Sequence, residues 1–360
     1  MQDSTFETCV IGGGPAGLSA AYTLALANVK VVLVLEQKVV VGNAGETLHA
    51  SAIDSISKMQ LAMEFEKLGL DTLAGFESSW GIPVPLFKPA IQMLGGGGWL
   101  FRRKPFEDML LKQFLAKGGC VFYGPFEIKK QEKWCLTFTG CDFMLSASFL
   151  IIATGRKGLS QFSMGPKQVI DKLVCFTARI PSSDCDLVVR LDAMETGWMY
   201  TAKQEEGFRA LSFFTDGDLF REREPNKIIA HLSDLLQTSP SICKIIGSIA
   251  ACSNLTITSA NTTFLESSFG ENWLACGDSA QTYDPLSSHG IVQALQSGIE
   301  AAQSVIESLS GSKVAQHFYE LARRSRFREY LRQRTAYYSL EKRWTSTEFW
   351  SRRTQETSLS

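Results

Sequence analysis

Three stretches of the chain are β-rich or apolar without alternation: residues 8–11 (TCVI), 30–35 (KVVLVL) and 149–153 (FLIIA). Unbroken apolar runs of this length suit strands of a parallel sheet, which are covered on both faces. Between the first two, small and apolar residues from Pro15 to Ala27 predict a helix packed closely on that sheet. Phe106, Leu110 and Phe114 then mark one face of a second helix, ended by Gly118 and Gly119 and followed by a strand. The texture changes between about Val169 and Thr263. There "LVCFTARI", "DLVVRL", "GWMYTAKQ" and "FRALSFFTD" recur at roughly ten-residue spacing with polar or glycine turns between them, which predicts an antiparallel sheet. A helix, "NKIIAHLSDLLQTSP", is inserted among them. From Trp273 the α/β texture returns, with a long helix from Gly290 to Leu309. The remaining chain is read as helical from the spacing of Phe327, Tyr330, Leu331 and Tyr338.

The fold class is therefore α/β. A Rossmann-like nucleotide-binding domain is expected over residues 1–75, 100–165 and 270–310, interleaved with an antiparallel-sheet substrate domain over 76–99 and 166–269. Residues 311–360 form a C-terminal helical segment.

Composition narrows the class. With 360 residues, 45% of them apolar and 20% charged, the chain can bury a large core. A net charge of −1 argues against a nucleic-acid binder. Nine cysteines occur without a C-x-x-C pair, so neither a disulfide framework nor a zinc site is expected. No basic and apolar leader precedes Phe6, and no apolar run reaches the roughly 18–20 residues of a membrane span. The expected setting is the cytoplasm.

Two glycine-bearing turns carry the chemistry. Gly12-x-Gly14-x-x-Gly17 follows a strand and opens a helix, and Glu36 follows Gly17 by 19 residues at the end of the next strand. Gly12 makes the tight turn, Gly14 admits a pyrophosphate, Gly17 lets helix and strand approach, and Glu36 can accept from a ribose. Pro15 and Ala16 open the helix whose free N–H groups face the phosphates. Near the other end, "CGDSAQTYDPLSSHGI" places Asp278 after Gly277, then Pro285 to Ile291 at a second helix start. Asp278 can bind a sugar-alcohol chain, and the helix start favours the partly negative edge of a reduced flavin. One ligand that needs both turns is FAD, expected as a non-covalent cofactor.

"GGGPAG", Glu36, "GETL" at 45–48, Arg103 in "RKPFEDML", "ATG" at 153–155 and "GDSAQTYDPLSSHGI" occur in the order found in flavin-dependent monooxygenases and halogenases. The chain resembles that superfamily, of p-hydroxybenzoate hydroxylase-type fold, over nearly its whole length. The resemblance implies that Arg103 contacts the ribityl-phosphate region and that Gly45, Glu46 and Thr47 lie beside the flavin. Phe126, Gly155, Pro285, His289, Gly290 and Ile291 are carried over as further cofactor contacts. Three departures matter. "GWMYTAK" lacks the Ile-Pro of the tryptophan-halogenase motif W-x-W-x-I-P. Ser287 stands where those halogenases have a glutamate and His289 where they have a threonine. Thr154-Gly155 replaces the Asp-Gly of NADPH-using hydroxylases, which leaves the electron source open, with a flavin reductase as a candidate partner.

The tail "YYSLEKRWTSTEFWSRR" is similar to that of flavoproteins that mature quinoprotein glycine oxidase and lysine ε-oxidase. That resemblance implies a protein-borne substrate: a tryptophan of a precursor quinoprotein, hydroxylated on the way to cysteine tryptophylquinone. Residues 313–360 hold eleven Lys/Arg and five Asp/Glu, an excess of six, which reads either as a solvated helix face or as a dock for an acidic partner. No nucleophile–base triad or metal constellation stands out around His49, His231, His289 and His317. Oxygenation through a flavin C4a-hydroperoxide asks for none, because the cofactor carries the difficult step. His289 and Ser288 are the candidate catalytic residues, with flavin packing as the other role for His289. Trp80, Trp198 and Tyr200 either line an aromatic substrate pocket or belong to the core. A flavin-dependent hydroxylase or halogenase of a small indole or phenol, and a non-catalytic FAD-binding chaperone, stay open beside the main reading.

Overall fold

The computed structural model describes residues 4–35, 46–93, 95–140, 143–158, 162–205, 207–222, 224–249 and 252–355. Its helices are α1 (Pro15–Leu26), α2 (Ala52–Lys58), α3 (Ala62–Glu66), α4 (Arg103–Ala116), α5 (Pro225–Thr238), α6 (Gly290–Leu309), α7 (Ala315–Ser339) and α8 (Glu348–Thr354). Among the described residues, no helix is long and apolar enough to cross a membrane.

One sheet runs in the order Phe269–Gly270, Trp273–Ala275, Met144–Ile152, Ser4–Ile11, Val31–Leu35, Cys120–Tyr123. All of its pairs are parallel except the first. A hairpin, Phe126–Lys130 with Trp134–Phe138, extends antiparallel from the N-terminal half of Met144–Ile152. The unbroken apolar runs have a direct cause. Val10, Leu33 and Ile151 point to the layer of α1, α4 and α6, whereas Ile11, Val34 and Ile152 point to the opposite face, against the hairpin. Both faces are dry, so neither tolerates polar alternation. The helix layer is tight where α6 crosses α1. A Cβ on Gly298 would lie 2.2 Å from the Ala16 carbonyl oxygen, so only glycine lets the two helices settle together.

The second sheet runs Ser253–Ser259, Leu173–Pro181, Phe208–Asp216, Gly197–Glu205, Val188–Met194, Gly75–Ser79, Leu86–Pro89. Only the contact of Val188–Met194 with Gly75–Ser79 is parallel. Strand alternation gives this sheet two unlike faces. Phe176, Met199, Leu211 and Phe213 meet Ile228, Leu232 and Leu236, the one apolar stripe of α5. On the other face lie Cys175, Trp198 and Phe214, packed against Tyr338, Phe349 and Trp350 from the C-terminal segment.

That segment is no loose basic tail. Arg323 is buried against Glu320 and donates to the Leu265 carbonyl at 2.7 Å. Arg334 reaches Asp171 at 2.9 Å and Asp284 at 3.2 Å. Arg353 pairs with Asp216, Arg343 with Glu341, and Arg326 with Glu300. Asp171, Asp284, Asp216 and Glu300, from outside the tail, thus answer part of its positive excess, while Arg328 and Arg332 stay on an exposed face of α7. Trp350 is fully buried and its indole N–H donates to the Met194 carbonyl at 2.8 Å. Replacing Trp350 with Ala should therefore cost about 3–5 kcal/mol and lower the melting temperature by several degrees. A thermal melt indistinguishable from that of the wild type would mean that the segment is not part of the core.

Candidate functional site

The carboxyl end of the parallel sheet and the Trp198 face of the antiparallel sheet enclose a cavity of about 480 Å³. Its nearer wall starts at the first glycine turn. Gly12 has φ +118°, and a Cβ there would lie 2.1 Å from the Ala153 carbonyl oxygen, so the turn requires glycine on both counts. A Cβ on Gly17 would strike the Gly12 carbonyl at 1.9 Å. Gly14 differs: it lines the cavity, and a Cβ there would meet nothing within 4 Å. Pro15 and Ala16 follow it into the cavity wall. As the N-cap of α1, Gly14 offers no side-chain cap, and no acidic residue occupies the first helical turn. The free N–H groups of that turn thus face open space, an arrangement suited to an anion.

Charged groups surround the middle of the cavity. Asp278 opens onto it and faces Arg156 at 3.5 Å, while the Lys167 ammonium donates to the Asp278 carbonyl at 3.4 Å. Burial raises the Asp278 carboxyl above the usual range, against the opposing pull of Arg156, Arg103 and Lys167. Arg103 holds the Glu46 carboxylate through two nitrogens, one of them at 2.9 Å, and both residues line the cavity. Burial by itself would lower the Arg103 guanidinium, but Glu46 beside it reverses the sign and raises it. Glu107, 3.6 Å from Arg103, is pushed up to about 6 by burial. Thr47 and Gly155 complete this part of the wall.

Beyond it, Asp284 accepts from the Leu286 N–H at 3.0 Å and caps the turn Pro285–Ser287. Ser288 follows with φ +50°, and then α6 starts at Gly290 with no acidic residue in its first turn. Pro285, Ser288, Gly290 and Ile291 all line the cavity. His289 is the N-cap of α6. Its Nδ1 contacts the Ser287 carbonyl, which can only accept, so Nδ1 carries the proton. Its ring lies 4.6 Å from that of His49, outside the cavity lining. Burial, and then His289, lower the His49 imidazole below its ordinary value.

The far wall is aromatic. Trp198 stacks on Phe214 with centroids 3.8 Å apart, and Tyr200 lies on the same strand face. The Tyr200 phenol is raised by burial, although Thr47 hydrogen-bonds to it. Thr177 and Ser212 add hydroxyls 3.1 Å apart.

Most of the residues singled out in the sequence meet at this cavity, and a few lie elsewhere. Gly277 is buried behind it, a would-be Cβ 2.6 Å from that of Ala16. Phe126 is buried in the core under the hairpin, on the sheet face opposite α1. Trp80 packs on Tyr338 and Trp350 and donates to the Tyr337 carbonyl, away from the lining. Glu36 and Gly45 lie outside the described residues. Sequence reasoning did not single out Arg156, Lys167, Tyr283 and Asp284. Lys167 meets the site only through its long-range contact with Asp278, whereas Arg156 directly follows Gly155. Tyr283 and Asp284 stand within the stretch from Cys276 to Ile291, Asp284 with the further signal of an Asp before a Pro-Leu-Ser turn.

These residues fit the expected FAD. The open cradle at Gly14, two helix starts free of carboxylates and Asp278 between them match its pyrophosphate, its flavin edge and its ribityl chain. Cys276 is buried in the core with its thiol pushed up to about 12, so it offers no thiolate for covalent attachment.

Comparison with known proteins agrees. The pyridine nucleotide-disulphide oxidoreductase family model matches residues 6–79. A protein of Marinomonas mediterranea described as an FAD-dependent oxidoreductase, LodB, is 28% identical over 97% of both chains. Tryptophan 2-halogenase of Chondromyces crocatus is 24% identical over 97% of this chain and 70% of its own. Among solved structures, the peptidyl tryptophan dihydroxylase QhpG, essential for tryptophylquinone cofactor biogenesis, superposes with TM-score 0.81. It is 18% identical, over 98% of this chain and 79% of its own.

The two glycines should separate fold from binding. Gly14→Val should give a folded protein that melts like wild-type apoprotein and retains less than about a tenth of the flavin absorbance, because the side chain enters the anion cradle. Gly12→Ala should fail to fold. A Gly14→Val protein that purifies as yellow as the wild type would contradict this placement.

Proposed function

An FAD-dependent oxidoreductase with the fold of flavin-dependent monooxygenases and halogenases, this chain, we propose, hydroxylates a tryptophan side chain within a precursor quinoprotein, as a step toward cysteine tryptophylquinone. The observation that carries the reading is the cavity itself, with helix starts for a flavin on one wall and the stacked Trp198–Phe214 pair on the other. The likeness to a peptidyl tryptophan dihydroxylase, together with the near full-length match to LodB, supports a protein-borne substrate.

Oxygen activation is the chemistry that FAD supplies when bound. The chain's own residues bind, orient and shield. The first turn of α1 and Asp278 hold the cofactor, and the start of α6 favours negative charge at the flavin edge. Trp198 and Phe214, both buried and stacked on each other, close the far end of the cavity as an apolar wall that keeps water from an indole held beside Tyr200. An indole is electron-rich and needs no strong base for attack on an electrophilic oxygen. This agrees with a wall whose polar groups next to those rings are the hydroxyls of Thr177 and Ser212. Among the described residues the lining contains Arg103 and Arg156, and Lys167, held at the Asp278 carbonyl, stands outside that lining, where a relay of hypohalous acid would need a lysine. Ser287 and the absent Ile-Pro after Trp198 weigh against a pocket for halogenation of free tryptophan. With Thr154 in place of the hydroxylase aspartate, electrons are expected from a separate reductase or from supplied reduced flavin.

Co-expression with a candidate precursor, with and without bromide, followed by mass analysis of the peptide carrying the target tryptophan, tests this. The expected result is added oxygen on that tryptophan in both media. Bromine on the peptide, or turnover of free indoles beside an unmodified precursor, would reject it. Unimpaired maturation by Gly14→Val protein that holds no flavin would instead establish a chaperone.

A further inference from the structure

Asp284 sits where three parts of the molecule meet. Its carboxylate is 1% exposed and borders the cavity. Oδ1 accepts from the Leu286 N–H at 3.0 Å, and so shapes the turn that leads into α6. Oδ2 accepts from the Tyr338 hydroxyl at 2.8 Å and from Arg334 Nε at 3.2 Å, both on α7. The Tyr338 oxygen, its proton given to Asp284, accepts in turn from the Trp198 indole N–H at 3.1 Å. Arg334 is anchored on its far side by Asp171 at 2.9 Å. Every member of this chain of contacts is buried or nearly so, and hydrogen bonds to ionised groups in such surroundings are strong and directional.

We propose that Tyr338 and Arg334, through Asp284, are positioning residues: the C-terminal helix α7 sets both the flavin-side turn at the start of α6 and the aromatic wall at Trp198. The last helical segment is then a working part of the site although Tyr338 itself has no access to the cavity. The direction of each proton supports this. Asp284 as a carboxylate can only accept, so Tyr338 must donate to it, which leaves the phenol oxygen free to receive Trp198. Removing one hydroxyl therefore leaves the Trp198 N–H buried without its acceptor and releases one of the two α7 contacts on the Asp284 carboxylate, while the Asp284 N–H keeps its bond to the Tyr330 hydroxyl at 2.7 Å. Replacing the carboxylate by an amide is more severe. An Asn amide would keep its oxygen toward Arg334 and Tyr338, so its Nδ2 would face the Leu286 N–H, donor against donor, and the clash is relieved only if the turn at Leu286 shifts.

The inference rests on flavin binding and not on the identity of the substrate, so it is tested on FAD affinity. Titration of apoprotein with FAD, beside thermal melts, would compare wild type with Asp284→Asn, Tyr338→Phe, the double variant and Glu341→Gln. Glu341 is a control in the same segment. It is buried, binds the Gly81 N–H and Arg343, and stands outside the cavity lining. The expected result is an FAD dissociation constant raised about tenfold by Asp284→Asn and about threefold by Tyr338→Phe, with an altered visible flavin band. The double variant should bind FAD no more weakly than Asp284→Asn alone, because Tyr338 reaches the flavin-side turn through Asp284, and its contact with Trp198 belongs to the aromatic wall. Glu341→Gln should lower the melting temperature and leave FAD affinity unchanged. Wild-type affinity in folded Asp284→Asn protein, full additivity in the double variant, or equal weakening by Glu341→Gln would each overturn the proposal. If Asp284→Asn does not fold, the isosteric Tyr338→Phe decides alone.

Discussion

The close approach of α6 to α1 governs the site. Helix N-termini are common anion sites, but two of them can serve one ligand only if their helices lie together and start at the same cavity. Here the contact is backbone to backbone. Gly298 meets the Ala16 carbonyl, and Gly277 meets Ala16 from the sheet side. Any side chain at Gly298 would push α6 outward and carry Gly290 and Ile291 away from the cradle at Gly14. The partly positive ends of both helices then reinforce each other across a space that contains Asp278 and the Arg103–Glu46 pair.

A second constraint lies in the antiparallel sheet. Strand alternation sends Met199 and Phe213 to α5, and Trp198 and Phe214 to the cavity. The cavity-side face would be left open to water without the C-terminal segment, which covers it with Tyr338, Phe349 and Trp350. α7 also reaches the parallel sheet, where the Tyr319 hydroxyl donates to the Ala275 carbonyl at 2.9 Å. One helical segment thus touches both sheets, and its buried arginines are neutralised at each crossing by Glu320, Asp284 and Asp216.

Local periodicity carried much of this into the sequence. The strand Ser4–Ile11, the turn after it and the strand Val31–Leu35 are legible because apolar runs and glycines report backbone geometry directly. Trp198 and Tyr200 share a face because strand side chains alternate, so an aromatic wall was readable there. Trp80 was not separable from them by that rule. It follows the end of its strand, and what covers it lies more than 250 residues away in the chain. Phe126 rested on resemblance alone. The hairpin pairing that buries it against Phe138 is not encoded in its own neighbourhood. The basic tail was legible only in part, for another reason: a count of charges says nothing about where their partners are. Arg334 meets Asp171 across 163 residues and Asp284 across 50, and no window of sequence contains such a pair.

The central claim is that one FAD spans both helix starts. A crystal structure of the purified yellow protein tests it most directly. The account predicts that the pyrophosphate lies within hydrogen-bond reach of the first-turn N–H groups of α1, the ribityl chain beside Asp278, and the isoalloxazine edge at Gly290 and Ile291, with the opposite side of the ring open toward Trp198. A flavin ring bound away from the start of α6, or a pyrophosphate held anywhere other than at Gly14, would contradict it.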